Sequence, residues 1–121
     1  MANEISAILT LSVTKSGVIP VNISINRTLS MTGDEAVEGT ALVATASSFA
    51  LPTVSSSIQK IVVYNADATN YIELASDNGN TTKICKVLPQ EFCIFQPIGG
   101  VTVYARANTA ACQIVYAVVE T

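Results

Sequence analysis

The stretch from Phe92 to Val119 reads FCIFQPIGGVTVYARANTAACQIVYAVV, and its pattern indicates the fold class of the whole chain. Two apolar runs flank the pair Gly99-Gly100, and a short polar bend then leads into a third apolar run. A Gly-Gly pair between apolar runs is typical of a β-hairpin, because glycine adopts the positive φ angles of tight hairpin turns without a clash from Cβ. The stretch therefore predicts short strands joined by turns.

A two-residue loop at Gly99-Gly100 also fixes which residues of the two strands lie opposite each other, and on which face. The predicted pairs are Ile98 with Val101, Ile94 with Ala105 and Phe92 with Ala107 on one face, and Phe95 with Tyr104 and Cys93 with Arg106 on the other. The first face is apolar and suits a core. The second face is mixed and needs some other cover.

The composition is that of a small domain with a surface poor in charge. The 121 residues suit one domain with a core of its own. Hydrophobic residues make up 50% of the chain, but charged residues only 12%, about half the usual share of roughly 25%. Such a surface favours a subunit packed into an assembly over a free enzyme, although extracellular β-domains can look similar.

The charge and the N-terminal sequence argue against several classes of partner. The net charge is −3 and the six basic residues are scattered, which does not favour nucleic acid. No stretch approaches the roughly 20 apolar residues of a membrane span. The first residues, MANEIS, lack the basic start and apolar core of a signal peptide, so we expect synthesis in a cytosol.

No metal, cofactor or redox site is predicted. The three cysteines, Cys85, Cys93 and Cys112, are odd in number and lack metal-ligand or redox spacing. Each lies in an apolar run, which predicts reduced cysteines acting as small buried hydrophobes. The segment Asp77-Asn78-Gly79-Asn80 has some features of a calcium loop, but it lacks the further acidic ligands, and a turn is the favoured interpretation.

Alternation of apolar and polar residues with a period of two predicts about nine short strands. They cover residues 4–14, 18–31, 36–46, 58–65, 70–76, 81–88, 92–98, 101–107 and 112–119. Pro20 predicts that the second strand begins near it or lies at a sheet edge. Residues 36–46 are compatible with a helix, but Gly39 and several β-branched residues favour a strand.

Two connections between the strands are distinctive. Residues 47–57 are rich in serine and have no periodicity, so we expect an exposed loop and a place of contact with another molecule. Between the strands at 70–76 and 81–88, an odd number of loop residues would place Leu74 opposite Ile84, with Glu73 diagonal to Lys83. This register predicts a bulged turn of three or five residues, with Gly79 at positive φ.

Regular short strands without long crossovers predict an all-β fold, a single antiparallel β-sandwich or jelly-roll-like domain over residues 1–121. Residues 58–121 are expected to form C-terminal hairpins. The strands within residues 1–31 form, by hypothesis, an N-terminal arm of two strands that pairs with the open sheet edge of a neighbour.

The residue types argue against catalysis. The chain has no histidine, which removes the commonest general base and every Ser-His or Cys-His nucleophile. Cys93 opposite Arg106 is the one candidate nucleophile, and a structural pairing is favoured there. Asp34, Glu35 and Glu38 cluster at a turn without an aromatic sugar platform, so a solvated turn is favoured over a glycosidase site.

Three segments of the C-terminal half resemble small β-structured virion proteins of tailed bacteriophages. They read VVYNADATNYIEL at 62–74, LPQEFCIF at 88–95 and VTVYARANTAAC at 101–112. In such proteins a strand ends in N-x-D-x-T-N, a turn led by proline precedes an aromatic strand, and a strand near the end reads A-x-A-x-T-A. The resemblance covers residues 58–121 and implies a non-enzymatic structural subunit, either a capsid decoration (cement) protein or a neck or tail accessory protein.

The resemblance also implies partners and a location. Decoration proteins commonly form trimers or rings and bind neighbouring virion proteins such as the major capsid protein. We therefore expect a homo-oligomer on a virion, made in the host cytoplasm, with no cofactor and no contact with nucleic acid or membrane. The alternative is a carbohydrate-binding β-sandwich module, for which the aromatic material is Tyr64, Tyr71, Tyr104 and Phe95.

Overall fold

The computed structural model describes residues 5–29, 36–54, 59–97 and 101–120, and these residues form ten β-strands and no helix. The strands are β1 (Ile5–Val13), β2 (Val21–Leu29), β3 (Ala36–Val43), β4 (Phe49–Ala50), β5 (Gln59–Asn65), β6 (Ile72–Ala75), β7 (Lys83–Val87), β8 (Phe92–Phe95), β9 (Tyr104–Ala107) and β10 (Cys112–Glu120). Every described strand pair is antiparallel. The predicted all-β, sandwich-like fold is confirmed.

The chain divides into two compact units. The first holds β1 and β2, which form a two-stranded sheet, and the second holds the two four-stranded sheets built from β3 to β10. The interpretation of residues 1–121 as one domain, and of residues 1–31 as an arm that pairs with a neighbour, stays a prediction.

The first unit is a long hairpin. Its strands pair from Val13 opposite Val21, next to the turn, to Ile5 opposite Leu29 at the far end. The Val18 N–H donates to the Lys15 carbonyl at 3.1 Å, and Gly17 has a φ of +82°, which the third position of this turn requires. β2 begins directly after Pro20, as predicted, because proline has no N–H to donate to the ladder.

The first sheet of the second unit has the order β3-β10-β5-β8. β10 is an inner strand, since it pairs with β3 on one side and with β5 on the other. The alternative of a helix at residues 36–46 is thereby rejected. Because successive side chains of a strand point to opposite faces, each strand of this sheet has an inner and an outer set of residues.

The second sheet has the order β4-β9-β6-β7, and one core lies between the inner faces of the two sheets. The first sheet contributes residues such as Ile61, Val63, Ile114 and Val118, all at most 1% exposed. The second contributes Ile72, Leu74, Val87, Ala105 and Ala107. This burial of aliphatic side chains is the main stabilising contribution to the unit.

The predicted hairpin between β8 and β9 is wrong. The two strands belong to different sheets: Phe95 pairs with Ile61 of β5, whereas Tyr104 pairs with Ala50 and Ala75. Gly99 and Gly100, the predicted turn, lie outside the described residues. A Gly-Gly pair is a local signal, and here it does not decide the pairing, because β8 pairs with β5 and β9 pairs with β4 and β6.

The predicted orientation of β8 is also wrong. Cys93 and Phe95 face inward and pack against the core, whereas Phe92 and Ile94 are 62% and 50% exposed. On β9 the prediction is confirmed, since Ala105 and Ala107 are buried.

The segment 47–57 is not simply an exposed loop. It contains β4, and Leu51 and Val54 are only 2% and 7% exposed. The Leu51 N–H donates to the Val103 carbonyl at 2.9 Å, which continues the pairing of β4 with β9. The aliphatic residues among the serines fill the core, and the remaining residues of this segment, 55–57, lie outside the described parts of the chain.

The β6–β7 hairpin confirms the predicted length of its turn. The Ser76 N–H donates to the Thr82 carbonyl at 3.1 Å and encloses five residues. The predicted partner of Leu74 is wrong: Leu74 lies opposite Cys85, because a bulge makes Ile84 the extra residue on β7.

The residue with positive φ in this turn is Asn80, at 57°, and not Gly79 as predicted. Asparagine tolerates the left-handed region better than most residues. Its side-chain Nδ2 donates to the Glu73 carbonyl at 3.2 Å, which fixes the turn to β6.

Candidate interaction surfaces

One face of the β1–β2 hairpin is apolar and exposed, and it is called the hairpin face below. Its central pairs are Leu9 opposite Ile25 and Leu11 opposite Ile23, and the exposed fractions of these side chains lie between 41% and 49%. The alternation predicted for these strands is the reason that their apolar side chains share one face. Arg27, opposite Ala7, is the charged residue on this face of the described strands.

The opposite face of the hairpin is polar and carries no charge in the described strands. Thr10 lies opposite Ser24, Ser12 opposite Asn22, and Ile8 opposite Asn26. Ile8 is the exception on this face, with 66% of its side chain exposed. A two-stranded hairpin is at best marginally stable alone in water, and a contiguous exposed apolar patch marks an interaction site. The hairpin face is therefore the first candidate surface.

The second candidate is the outer face of the β3-β10-β5-β8 sheet, called the outer sheet face below. Across its middle runs a row of Val115, Tyr64 and Phe92, which are 37%, 38% and 62% exposed. The next row contains Ala117, Val62 and Ile94.

The charges of the outer sheet face lie beside this apolar band. Glu38 of β3 is opposite Ala117, and Lys60 of β5 is opposite Val119. The centre of the face is consequently apolar, and a partner could cover it without burying a charge.

The outer face of the other four-stranded sheet has a different character. Glu73 lies between Arg106 of β9 and Lys86 of β7, and its Oε1 accepts from the Nζ of Lys83 at 2.8 Å. The Lys86 Nζ lies 4.3 Å from the centroid of the Tyr71 ring. This contact of Lys83 with Glu73 agrees with the diagonal placement expected from the sequence. Exposed ion pairs of this kind contribute little stability, but they keep this face hydrated.

The residues considered for catalysis are not brought together. Cys93 lies opposite Val63 and Arg106 lies opposite Glu73, in different sheets, so the predicted pairing of Cys93 with Arg106 is wrong. Glu38 is exposed on β3, and Asp34 and Glu35 lie outside the described residues.

Asp77 holds its turn together. Its Oδ1 accepts from the N–H groups of Thr81 and Thr82 at 3.0 and 2.6 Å, and its Oδ2 accepts from the Thr81 hydroxyl at 2.7 Å. These hydrogen bonds, the one from Thr82 first, lower the pKa of Asp77 from 3.8 to about 2. Both oxygens of the carboxylate thus accept hydrogen bonds from within the turn. Over the described residues, no group of three or more His, Cys, Asp or Glu side chains is placed to hold a metal ion.

The cysteines are free thiols in two different settings. Cys112 is fully buried, as predicted, and burial, followed by the negative charge of Asp67, raises its pKa. Cys85 and Cys93 are half-buried, and their Sγ atoms lie 3.1 Å apart. Sequence reasoning missed this contact because it placed the two residues in unrelated strands and paired Cys93 with β9.

The aromatic residues proposed for a sugar site are dispersed. Phe95 packs against the core, Tyr104 is half-buried, and the Tyr71 ring is covered by Lys86. Tyr64 is the exposed member of the set, and it pairs with Phe92, which the sequence had placed in the core.

Comparison of the chain with protein-family models, with curated proteins and with solved structures gives no match. In the part of the chain that the structure describes, no helix is long and apolar enough to cross a membrane.

Proposed function

We propose that this chain is a non-enzymatic structural subunit that works by packing against other protein subunits. In line with the resemblance of residues 58–121, the assembly is the particle of a tailed bacteriophage, and the role is that of a capsid decoration or cement protein. A neck or tail accessory protein is the alternative location. The observation that carries the proposal is the hairpin face, where Leu9, Leu11, Ile23 and Ile25 are exposed together.

The physical basis of such packing is the hydrophobic effect. Each CH₂ group removed from water contributes about 0.8 kcal/mol, and the hairpin face offers four large aliphatic side chains in two adjacent pairs. Repetition of the contact around a closed ring makes attachment firm even where one contact is weak.

A second copy of the chain is the partner proposed for the hairpin face. In the described sheet, β1 and β2 pair with each other and each leaves one edge for a further strand. Within its described strands the face carries one charge, Arg27, so two copies can approach without strong repulsion. Pairing with the edge or the apolar face of a neighbour gives a homo-oligomer, and the outer sheet face is then available to another virion protein.

Light scattering coupled to size-exclusion chromatography tests the self-association. The double variant Leu11→Asn/Ile23→Asn places two amides on the hairpin face, and we expect it to convert a trimer or larger ring to monomers. The matched control Thr10→Asn/Ser24→Asn alters the neighbouring pair on the polar face and should leave the oligomer intact. Equal masses for both variants, or a monomeric parent chain, would contradict the proposal.

The location on a particle requires a different experiment. Particles assembled with a tagged copy of the chain are imaged, and copies on the shell support a decoration protein. Copies confined to the portal vertex or tail support the accessory role. Particles that contain no copy of the chain would reject the virion location. The result on self-association would not be affected.

Carbohydrate binding is the second candidate, and one observation favours it. Tyr64 and Phe92 are exposed side by side on the outer sheet face, and aromatic rings of this kind can stack on sugars. A glycan array probed with the parent chain and with Phe92→Ala discriminates the two functions. Binding that the substitution abolishes supports the lectin role, and an array without signal rejects it.

A further inference from the structure

The contact between Cys85 and Cys93 joins the two sheets of the second unit. Cys85 belongs to β7, the edge strand of one sheet, and Cys93 to β8, the edge strand of the other. Cys85 lies opposite Leu74 and Cys93 opposite Val63, so both side chains extend toward the core. Their Sγ atoms are 3.1 Å apart, and an approach of about 1 Å would bring them to the disulfide bond length of about 2.05 Å.

We propose that Cys85 and Cys93 form an oxidative modification site, at which a small-molecule disulfide such as oxidised glutathione converts the two thiols into a disulfide between the sheets. The inference is independent of the proposed function, because it rests on the interior of the second unit and not on either candidate surface.

The chemistry is two successive thiol–disulfide exchanges. One cysteine thiolate attacks a sulfur of oxidised glutathione, the glutathione S–S bond breaks, and one glutathione thiolate leaves. The second cysteine thiolate then attacks the protein sulfur of the mixed disulfide and expels the second glutathione. The two protein thiols are oxidised by two electrons, oxidised glutathione is reduced to two glutathione molecules, and the two protons pass to the leaving thiolates.

The pair rests in the thiol form under reducing conditions. Burial, followed by the neighbouring Cys85 thiol, raises the pKa of Cys93 to about 12, so Cys93 is protonated at neutral pH. Because a protonated thiol is a poor nucleophile, exchange through the small thiolate fraction of Cys93 is slow. A reducing cytosol keeps such pairs reduced, so the disulfide forms when the folded chain meets an oxidising medium, and it then links β7 to β8.

Peptide mapping of the full-length chain tests the site directly. The folded protein is incubated with oxidised glutathione, remaining thiols are alkylated, and the chain is cut with trypsin. Cleavage after Lys83, Lys86 and Arg106 puts each cysteine in a separate peptide. We expect residues 84–86 linked to residues 87–106, with the mass lowered by two hydrogen atoms, and a monomeric band on a non-reducing gel.

Matched variants isolate the pair. Cys112→Ser keeps both sulfurs and should form the same link, whereas Cys85→Ser and Cys93→Ser should not. Oxidation should raise the midpoint of thermal unfolding by about 5–15 °C in the parent and in Cys112→Ser, and reductant should reverse the shift.

Several results would overturn the proposal. They are alkylation of both thiols after oxidation, a link to the Cys112 peptide, a link between chains, or a mixed disulfide with glutathione that never resolves. If a serine variant does not fold, the reversible link in the parent and in Cys112→Ser still decides the question.

Discussion

Gly39 makes room for the ring of Tyr116. The two residues lie opposite each other on β3 and β10, and a Cβ at position 39 would meet the Tyr116 Oη at 2.6 Å and its Cζ at 2.9 Å. The ring also contacts Phe49, with centroids 5.7 Å apart, and thereby connects the two sheets. In the sequence, Gly39 only weakens a strand pattern. The need for a glycine comes from Tyr116, which lies 77 positions further on, so the local sequence pattern does not reveal it.

Gly39→Ala should destabilise the chain by about 1–3 kcal/mol, because the Tyr116 ring has to move away from a well-packed position. Denaturant unfolding followed by circular dichroism measures the change. In a Tyr116→Phe background the cost should be smaller, since the nearest atom, Oη, is removed. An alanine variant as stable as the parent would show that the ring has free space.

Asn65 also has a role that composition does not reveal. It is fully buried, and its Nδ2 donates to the carbonyls of Asn70, Val87 and Leu88, while its Oδ1 accepts from the Asp67 N–H at 3.0 Å. One side-chain amide thus forms hydrogen bonds with backbone groups next to both sheets. These hydrogen bonds also satisfy the amide itself, as expected for a buried polar side chain. The sequence identifies Asn65 only as the end of a strand.

Asp77 gives the turn between β6 and β7 a dependence on pH. Its pKa is lowered from 3.8 to about 2 in the folded chain, so the charged form stabilises the fold. This contribution is complete above about pH 4 and is lost as the pH falls toward 2. We expect Asp77→Asn to flatten the fall in stability over that interval, measured by denaturant unfolding at a series of pH values. A curve as steep as that of the parent would exclude Asp77 as its source.

At the level of strands, the sequence predicts the positions of the strands better than it predicts their pairing partners. All nine expected strands overlap described strands, because period-two alternation is set by burial on one face. The tenth strand, β4, was missed because two residues are too few to show a period. Pairing was predicted correctly for β6 with β7, which a short turn connects.

Pairing failed where the chain crosses from one sheet to the other. The sequence offered β9 as the partner of β8, yet β8 pairs with β5 and β9 with β6 and β4. All four residues of β8, Phe92 to Phe95, are apolar. Alternation of polar and apolar residues is therefore absent, and the sequence does not show which face of β8 points inward. The apolar outer sheet face was missed for the same reason.

Two substitutions on β8 test its orientation. Phe95→Ala removes a ring that packs against the core and should cost about 3 kcal/mol, whereas Ile94→Ala, on the outer face, should cost less than about 1 kcal/mol. Denaturant unfolding of the two variants gives the comparison. The opposite ranking would favour the orientation of β8 that the sequence predicted.

At the scale of the molecule, the core belongs wholly to one of the two units. Every buried apolar residue in the described chain lies between Val43 and Val118, and the first unit contributes none. The second unit therefore supplies the buried core, whereas the large apolar side chains of the hairpin are partly or largely exposed.

Deleting residues 1–31 should therefore leave the thermal unfolding midpoint of the remaining chain within a few degrees of the parent when both are monomeric. At concentrations where the parent is oligomeric, the deletion should remove the oligomer. Circular dichroism and light scattering on the same samples separate the two effects. An unchanged oligomer would show that the hairpin is not the contact between copies. Loss of the β-sheet circular dichroism signal would show that the second unit depends on the first for folding.

The position of β10 has a consequence for how the chain is made. Residues 112–120 lie between β3 and β5 and supply the partner that each of these strands needs on one side. While a ribosome is still translating the preceding codons, β3 has no neighbour and β5 has only β8. The pairing of β3 and β5 with β10 therefore cannot form until residues 112–120 have been translated. During this interval the unpaired strands are available for a chaperone to bind.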